Sequence, residues 1–305
     1  MPEGHSIRRL ALAFDELLHG ERLEVTSPQG RFADGAALLD GHRLVATDAH
    51  GKHLFLGFSA DGEAVAAEEL RWLRVHLGLY GSWTFSGDAS FQAPHAIGAP
   101  RRRVAEEETA LSDGDPAPPA DGTWEPPEPR GAVRVRLLGR HGVADLTGPT
   151  ACEVVTAEEK AAVHARLGPD PLREDGDADA FVANVRRRAR PVGELLMDQS
   201  VIAGVGNIYR AEALYRARVH PRKLGRSVSA AKLHAMWADL AVLMTDGVAT
   251  GRIVTTEPED REDEDDRWYV YHRTGRPCLR CGTRVAEDVM ATRRVFWCPR
   301  EQRRS

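Results

Sequence analysis

The sequence predicts an α+β protein: a β-rich first half opened by one helix, a helical stretch, and a short cysteine-bearing hairpin at the end. Three observations predict this order. Apolar residues recur at helical spacing over 5–18 and then give way to short alternating segments divided by Gly, Asp and Ser. From about residue 157 the period becomes helical again. Three of the four cysteines, Cys278, Cys281 and Cys298, are gathered near the end of the 305 residues. That length supplies two domains with cores of their own, with room for a small third module.

Ile7, Leu10, Ala11, Phe14, Leu17 and Leu18 share one helical face over 5–18, and Gly20 can end the helix. Strand-like segments follow at 44–47, 53–58, 71–77 and 82–85, and strand patterning resumes at 133–137. Between them, 104–130 is acidic and rich in Pro and Ala; it lacks apolar residues to bury and is expected to be a mobile loop. Helices are expected at 157–167, 178–188, 191–198, 207–217 and 229–248. The acidic run 257–267 reads as a solvated linker, and 268–305 as a small hairpin module. There is no internal repeat.

The net charge of −5, taken as a total, argues against a nucleic-acid partner, but its distribution argues otherwise. Segment 104–130 carries −7 and segment 257–267 carries −6, so the rest of the chain carries +8. Binding follows local potential more than the total. The excess of Arg over Lys also fits a compositional bias. No apolar run is long enough to span a membrane, and Met1-Pro2-Glu3-Gly4-His5 is neither basic nor apolar as a signal peptide requires. The expectation is a cytoplasmic protein without a disulfide framework. Cys152, alone in the sequence, reads as a small buried hydrophobe.

Cys278-Leu279-Arg280-Cys281 has the form of one half of a zinc ribbon, in which a tight turn supplies two thiolates. The second half reads Cys298-Pro299-Arg300-Glu301, so a carboxylate stands in the fourth slot. Two readings follow. Either one structural Zn2+ is held by Cys278, Cys281, Cys298 and Glu301, or metal binding is weakened and Val295, Phe296 and Trp297 hold the hairpin by packing. A redox CxxC lacks the βαβ context it needs.

An apolar helix running to 198 leads into Gly204-Val205-Gly206, and a second helix begins at Asn207. Two glycines allow close backbone approach, and a helix N-terminus offers free N–H groups to an anion such as a DNA phosphate. A helix-hairpin turn with a capping Asn gives the same pattern. A dinucleotide fold would need a strand before the glycines, where this chain has a helix.

Once Met1 is removed, Pro2 presents a secondary amine that is partly neutral near pH 7. Such an amine can attack a carbonyl-like sugar carbon and form an iminium, with Glu3 beside it as acid or base. Alone, a Pro and a Glu after Met are ordinary. Their company is not: Met1-Pro2-Glu3-Gly4, Gly51-Lys52-His53-Leu54, the run 76–81 (HLGLYG), Met197-Asp198-Gln199 with Gly204-Val205-Gly206-Asn207-Ile208-Tyr209, and the CxxC with Phe296-Trp297-Cys298-Pro299 occur in one chain in this order. Together they resemble the formamidopyrimidine-DNA glycosylase/endonuclease VIII family over nearly the whole chain, the acidic insertions excepted.

The resemblance implies an N-terminal β-sandwich domain at 1–150, a helical helix–two-turn–helix domain at 151–256, and the acidic linker with a zinc-finger-like β-hairpin at 257–305. It implies a bifunctional glycosylase and AP lyase of base-excision repair. Pro2 would attack C1′ of the damaged nucleotide, Glu3 would protonate the opening sugar, and β,δ-elimination from the Schiff base would nick the strand. Lys52, Asn207 and Arg293 would grip phosphates, with weaker contacts from His76 and Tyr271. The lesion must leave the stack to reach Pro2, and Leu79 and Tyr80 stand where the family places void-filling side chains. Leu79-Tyr80 is similar to the endonuclease VIII branch, which implies oxidised pyrimidines as substrates. The partner is damaged double-stranded DNA, met by a monomer at the nucleoid. Glu301 departs from the family's fourth cysteine, which leaves a damage-binding paralogue with an impaired finger as the alternative.

Overall fold

The computed structural model describes residues 2–60, 66–94, 96–99, 124–261, 263 and 266–304. Of the acidic segment at 104–130, residues 104–123 lie outside the described residues. The chain forms two compact units. One holds Pro2 and Ser6–Ala165; the other holds Glu3–His5 and the chain from Arg166 on.

Helix α1 (Gly4–Leu18) passes from the second unit into the first. The first unit contains two antiparallel sheets. Strands β1 (Glu24–Thr26), β5 (Ser82–Gly87), β6 (Ala96–Gly98), β7 (Val133–Leu138) and β8 (Gly142–Thr147) pair in the order β1-β7-β8-β5-β6. Strands β2 (Arg43–His50), β3 (His53–Ser59), β4 (Arg71–His76) and β9 (Ala151–Val155) pair in the order β2-β3-β4-β9. The sheets share one core, so the expected sandwich is present: Leu54, Leu56 and Phe58 of β3 and Trp83, Leu137 and Leu146 of the other sheet are in one cluster with Ile7, Leu10 and Phe14 of α1. The Phe14 ring meets Trp83 edge-on at 4.8 Å.

Strand β3 is buried on both faces, which is why its sequence is continuously apolar rather than alternating. Its second face is covered by α3 (Ala157–His164), started by a capping box between Thr156 and Glu159. Lys160 of α3 lies over the Phe55 and Trp72 rings and pairs with Asp48 at 2.6 Å. Helix α2 (Ala33–Leu39) and strands β1, β6, β8 and β9 have no counterpart in the sequence-based expectations. Most are short, and a three-residue strand shows no period.

The second unit is helical, with a terminal hairpin. Helices α4 (Ala178–Arg186), α5 (Val192–Leu195), α6 (Asn207–Arg216) and α7 (Ala230–Thr250) enclose Phe181, Val185, Leu195, Ile202, Ile208, Leu214, Leu240 and Met244. The helix expected at 191–198 stops after Leu195, because Asp198 accepts from the Ser200 N–H and hydroxyl and turns the chain. Turns then run to Gly206, giving helix–two-turn–helix geometry. Helix α6 is buried on all sides from Asn207 to Tyr215.

Strands β10 (Ala286–Met290) and β11 (Arg293–Trp297) form the expected hairpin. Its turn places Ala291 and Thr292 at positive φ. The acidic run 257–267 differs from a free linker where it is described. Asp266 is buried and paired with Arg273, Asp260 pairs with Arg280 at 2.8 Å, and Glu257 pairs with Arg216 at 2.9 Å. Paired acids stay ordered where unpaired acids would favour solvent. Among the described residues no helix is long and apolar enough to cross a membrane.

Candidate active site

Glu3 is fully buried at the N-terminus of α6. Its carboxyl oxygens accept from the N–H groups of Gly206 (2.9 Å), Ile208 (2.8 Å) and Tyr209 (3.3 Å). These are the donors a helix start leaves unpaired, and the helix dipole favours an anion there. The group seated at this helix end is therefore the Glu3 carboxyl, where the Gly-Val-Gly pattern had suggested a DNA phosphate. A Cβ on Gly206 would collide with the Glu3 carboxyl carbon. Gly204 adopts φ +86° and its carbonyl accepts from Gly4 N–H at 2.8 Å. The two glycines thus serve the seating of residues 3 and 4. Pro2, joined to Glu3, is itself buried.

Asn207 opens α6 without capping it, since Gly206 is the N-cap. The Asn207 Oδ1 accepts from the Arg210 guanidinium. Arg210 has no exposed surface and also donates to the carbonyls of Arg294 (2.7 Å) and Gly193 (3.4 Å). Burial pulls its pKa down to about 10; nearby Glu3 favours the charged form and Arg293 opposes it. Tyr271 packs against Trp268 and Phe296, and its N–H donates to Glu212 at 2.9 Å. Fully buried Glu212 also accepts from Tyr269 N–H, Val270 N–H and the Thr255 hydroxyl. Burial pushes the Glu212 carboxyl up against these donors. In this unit Glu3, Asn207, Tyr271 and Arg293 are therefore gathered around α6.

In the first unit Lys52 sits in the β2–β3 turn beside Gly51 at φ +59°. His76, at the end of β4, faces His53 across the ladder with ring centroids 4.9 Å apart. The Gly78 N–H donates to His76 Nδ1 at 3.2 Å, which assigns the ring proton to Nε2. Burial, then the Lys52 and Arg74 charges, lower the His76 pKa. Lys52 and His76 are thus electrostatic neighbours. Leu79 and Tyr80 lie in the turn from β4 to β5, which passes from one sheet to the other; Tyr80 is 81% exposed and Leu79 47%.

The Sγ atoms of Cys278, Cys281 and Cys298 lie within 4.8 Å of one another, the only such group of potential ligands among the described residues. Cys281 and Cys298 are 3.5 Å apart, and the Tyr215 hydroxyl is 3.1 Å from Cys278 Sγ. Three thiols this close fit three corners of a tetrahedral zinc site. Glu301 does not complete the set. Its carboxylate pairs with Arg218 Nε at 3.4 Å, while Gln302 beside it is buried and bridges Cys298 N–H to the Val219 carbonyl. Cys152 is half-buried rather than fully buried as expected; it packs against the first unit's core, and desolvation pushes its thiol up to about 12.

Nothing in the sequence pattern singles out Arg210 and Glu212. Charged residues on an amphipathic helix normally mark its solvent face, and only the packing of α6 on every side shows that these do not.

Two family models match the chain: the formamidopyrimidine-DNA glycosylase N-terminal domain over residues 1–119 and the formamidopyrimidine-DNA glycosylase H2TH domain over 167–258. Endonuclease 8 1 of Mycobacterium tuberculosis is 40% identical over 305 residues, covering 98% of each chain. The formamidopyrimidine-DNA glycosylase of Mycolicibacterium vanbaalenii is 32% identical over 279 residues, covering 89% of this chain and 85% of its own. Among solved structures, the MutM (Fpg) protein of Thermus thermophilus superposes with a TM-score of 0.68 at 23% identity, covering 99% of this chain and 98% of its own. The Lactococcus lactis Fpg in complex with abasic-site DNA superposes with a TM-score of 0.71 at 17% identity, covering 99% and 100%. With both halves matched and full-length relatives at this identity, the chain belongs to the formamidopyrimidine-DNA glycosylase/endonuclease 8 family.

Proposed function

We propose that this protein is a DNA glycosylase with AP-lyase activity that removes oxidised bases, pyrimidines foremost, in base-excision repair. The observation that carries the reading is the start of the chain: Glu3, next to Pro2, is clasped by three N–H groups of the helix–two-turn–helix. That fixes the direction of the carboxyl and the path of the residue before it.

In this reading the freed Pro2 nitrogen attacks C1′ of the damaged nucleotide, the base leaves with its bonding pair, and Glu3 handles the proton as the sugar ring opens. The resulting iminium makes the C2′ hydrogen acidic. Its loss expels the 3′ phosphate, a second elimination expels the 5′ phosphate, and hydrolysis frees Pro2. Lys52, His76, Asn207 and Arg293 hold phosphates, Tyr271 supports the finger side, and Leu79 and Tyr80 fill the gap left by the lesion. Exposure of Leu79 and Tyr80 at a turn supports the last role. The 40% identity to proteins named endonuclease 8 supports the pyrimidine preference.

The finger at 257–305 carries a structural zinc on three thiolates, one per chain at most. The helical domain runs from 166 to 256 rather than from 151, because β9 (Ala151–Val155) pairs with β4 and belongs with α3 to the first unit. The enzyme works as a monomer on damaged double-stranded DNA, in the cytoplasm at the nucleoid.

The test is covalent trapping. Incubation with abasic-site DNA and borohydride gives a protein–DNA adduct, and Pro2→Gly removes most of it. If the wild-type protein gives no adduct, the catalytic reading fails and damage binding without chemistry takes its place.

A further inference from the structure

We propose that Arg210 is a positioning residue for DNA binding: its buried guanidinium sets the orientation of the Asn207 amide and tethers the strand that carries Arg293. The inference rests on the reading of Asn207 and Arg293 as phosphate contacts.

A guanidinium has five N–H donors and no acceptor. The Asn207 group facing Arg210 is therefore Oδ1, as observed. Only the Nδ2 end remains for a ligand, and it is a pure donor that suits a phosphate oxygen. Asn207 is 7% exposed, so it has little room to turn its amide over.

The same guanidinium reaches the second element. It donates to the Arg294 carbonyl on β11 at 2.7 Å, one residue from Arg293. Its third bond, to the Gly193 carbonyl at 3.4 Å, ties in α5. A Cβ on Gly193 would come 2.9 Å from Met290 Sδ at the end of β10. Helix α5, helix α6 and the hairpin therefore meet at Arg210. One fork of donors sets both the first residue of α6 and the strand of the finger, and no other residue type offers this planar geometry.

The cost of this arrangement is visible. Arg210 Nε is buried without a hydrogen-bond partner. Burying a charged side chain this deeply needs a compensating role, and the two DNA-facing neighbours supply one.

The test measures affinity for a duplex bearing a tetrahydrofuran abasic-site analogue, by fluorescence anisotropy over a range of salt, with thermal melting alongside. Asn207→Ala and Arg293→Ala are each expected to weaken binding about tenfold. Arg210→Gln is expected to weaken it by a similar factor, to add less than that full factor when combined with either single variant, and to add little to the Asn207→Ala/Arg293→Ala double variant. Arg293→Ala and Arg210→Gln should each flatten the salt dependence by about 0.9 in the log–log slope, as expected when one cation fewer neutralises a phosphate. A residue that only stabilises the fold lowers the melting temperature and leaves that slope unchanged. Arg210→Lys keeps a buried cation and serves if the glutamine variant is unfolded; it is expected to show a smaller loss in the same direction. Folded Arg210 variants that bind with wild-type affinity and slope, or whose losses multiply in full with those of Asn207→Ala and Arg293→Ala, overturn the proposal. If Asn207→Ala and Arg293→Ala themselves bind as wild type, it is the phosphate-contact reading that fails, and this inference with it.

Discussion

Glu3 and Gly206 act as one unit. The carboxyl needs the backbone of α6 at hydrogen-bond distance, and the backbone can come that close only because residue 206 has no Cβ. A Gly206→Ala substitution forces the two apart. Misplacing a catalytic group by about 1 Å costs on the order of 10²-fold in rate, so Gly206→Ala is expected to slow base excision by about that factor in single-turnover assays. A rate close to that of wild type would contradict the role given to Glu3. Cys152 illustrates the opposite case. With its thiol near 12 it should resist maleimide at mildly alkaline pH in the folded protein and react only on unfolding.

At the scale of elements, the ladder between β3 and β4 sets His53 beside His76. Burial above all, then the charges of His76, Arg74, His50 and His164, lower the His53 pKa from 6.5 to about 3. The unfolded chain therefore takes up a proton near pH 6.5 that the folded chain refuses until about pH 3. Stability falls as pH drops through this window, by at most about 1.4 kcal/mol per pH unit for each such histidine. Urea unfolding between about pH 7.5 and 5 should show the slope, and His53→Phe should reduce it; an unchanged slope would remove His53 as its source. The finger makes a second prediction. With Glu301 held by Arg218, Glu301→Cys adds the missing thiolate, so zinc should resist a chelator longer than in wild type. Equal loss rates in the two proteins would show that the fourth slot is no weak point.

For the whole molecule, binding should be strongly salt-dependent despite the net charge of −5. Outside its two acidic segments the chain is basic, and each cationic phosphate contact adds about 0.9 to the log–log slope. Lys52→Ala and Arg293→Ala, in different units, should lower the slope additively. A slope near zero in the wild type would sink the phosphate-gripping reading.

The sequence by itself determined the fold class, the family and, to within about two residues, the start and end of the long helices, and it supplied the Pro-Glu start on which the proposed chemistry rests. Those are carried by local patterns: periodicity over 5–18 and 229–248, a CxxC knuckle, a Pro-Glu start. Strand β1 was not legible, because its pairing is long-range: its ladder is with β7, more than a hundred residues on; β6 pairs with nearby β5 but, at three residues, shows no period. The partner of the α6 N-terminus was not legible either, since Glu3 reaches it across two hundred residues of chain. The tertiary structure alone decided that Glu301 turns to Arg218, that Asp260 and Asp266 are paired, and that Arg210 and Glu212 point into the protein. The physical reason is common to all of them. A charged residue looks the same in a sequence whether it faces water or a buried partner, and the partner is supplied by packing between elements that local pattern does not connect.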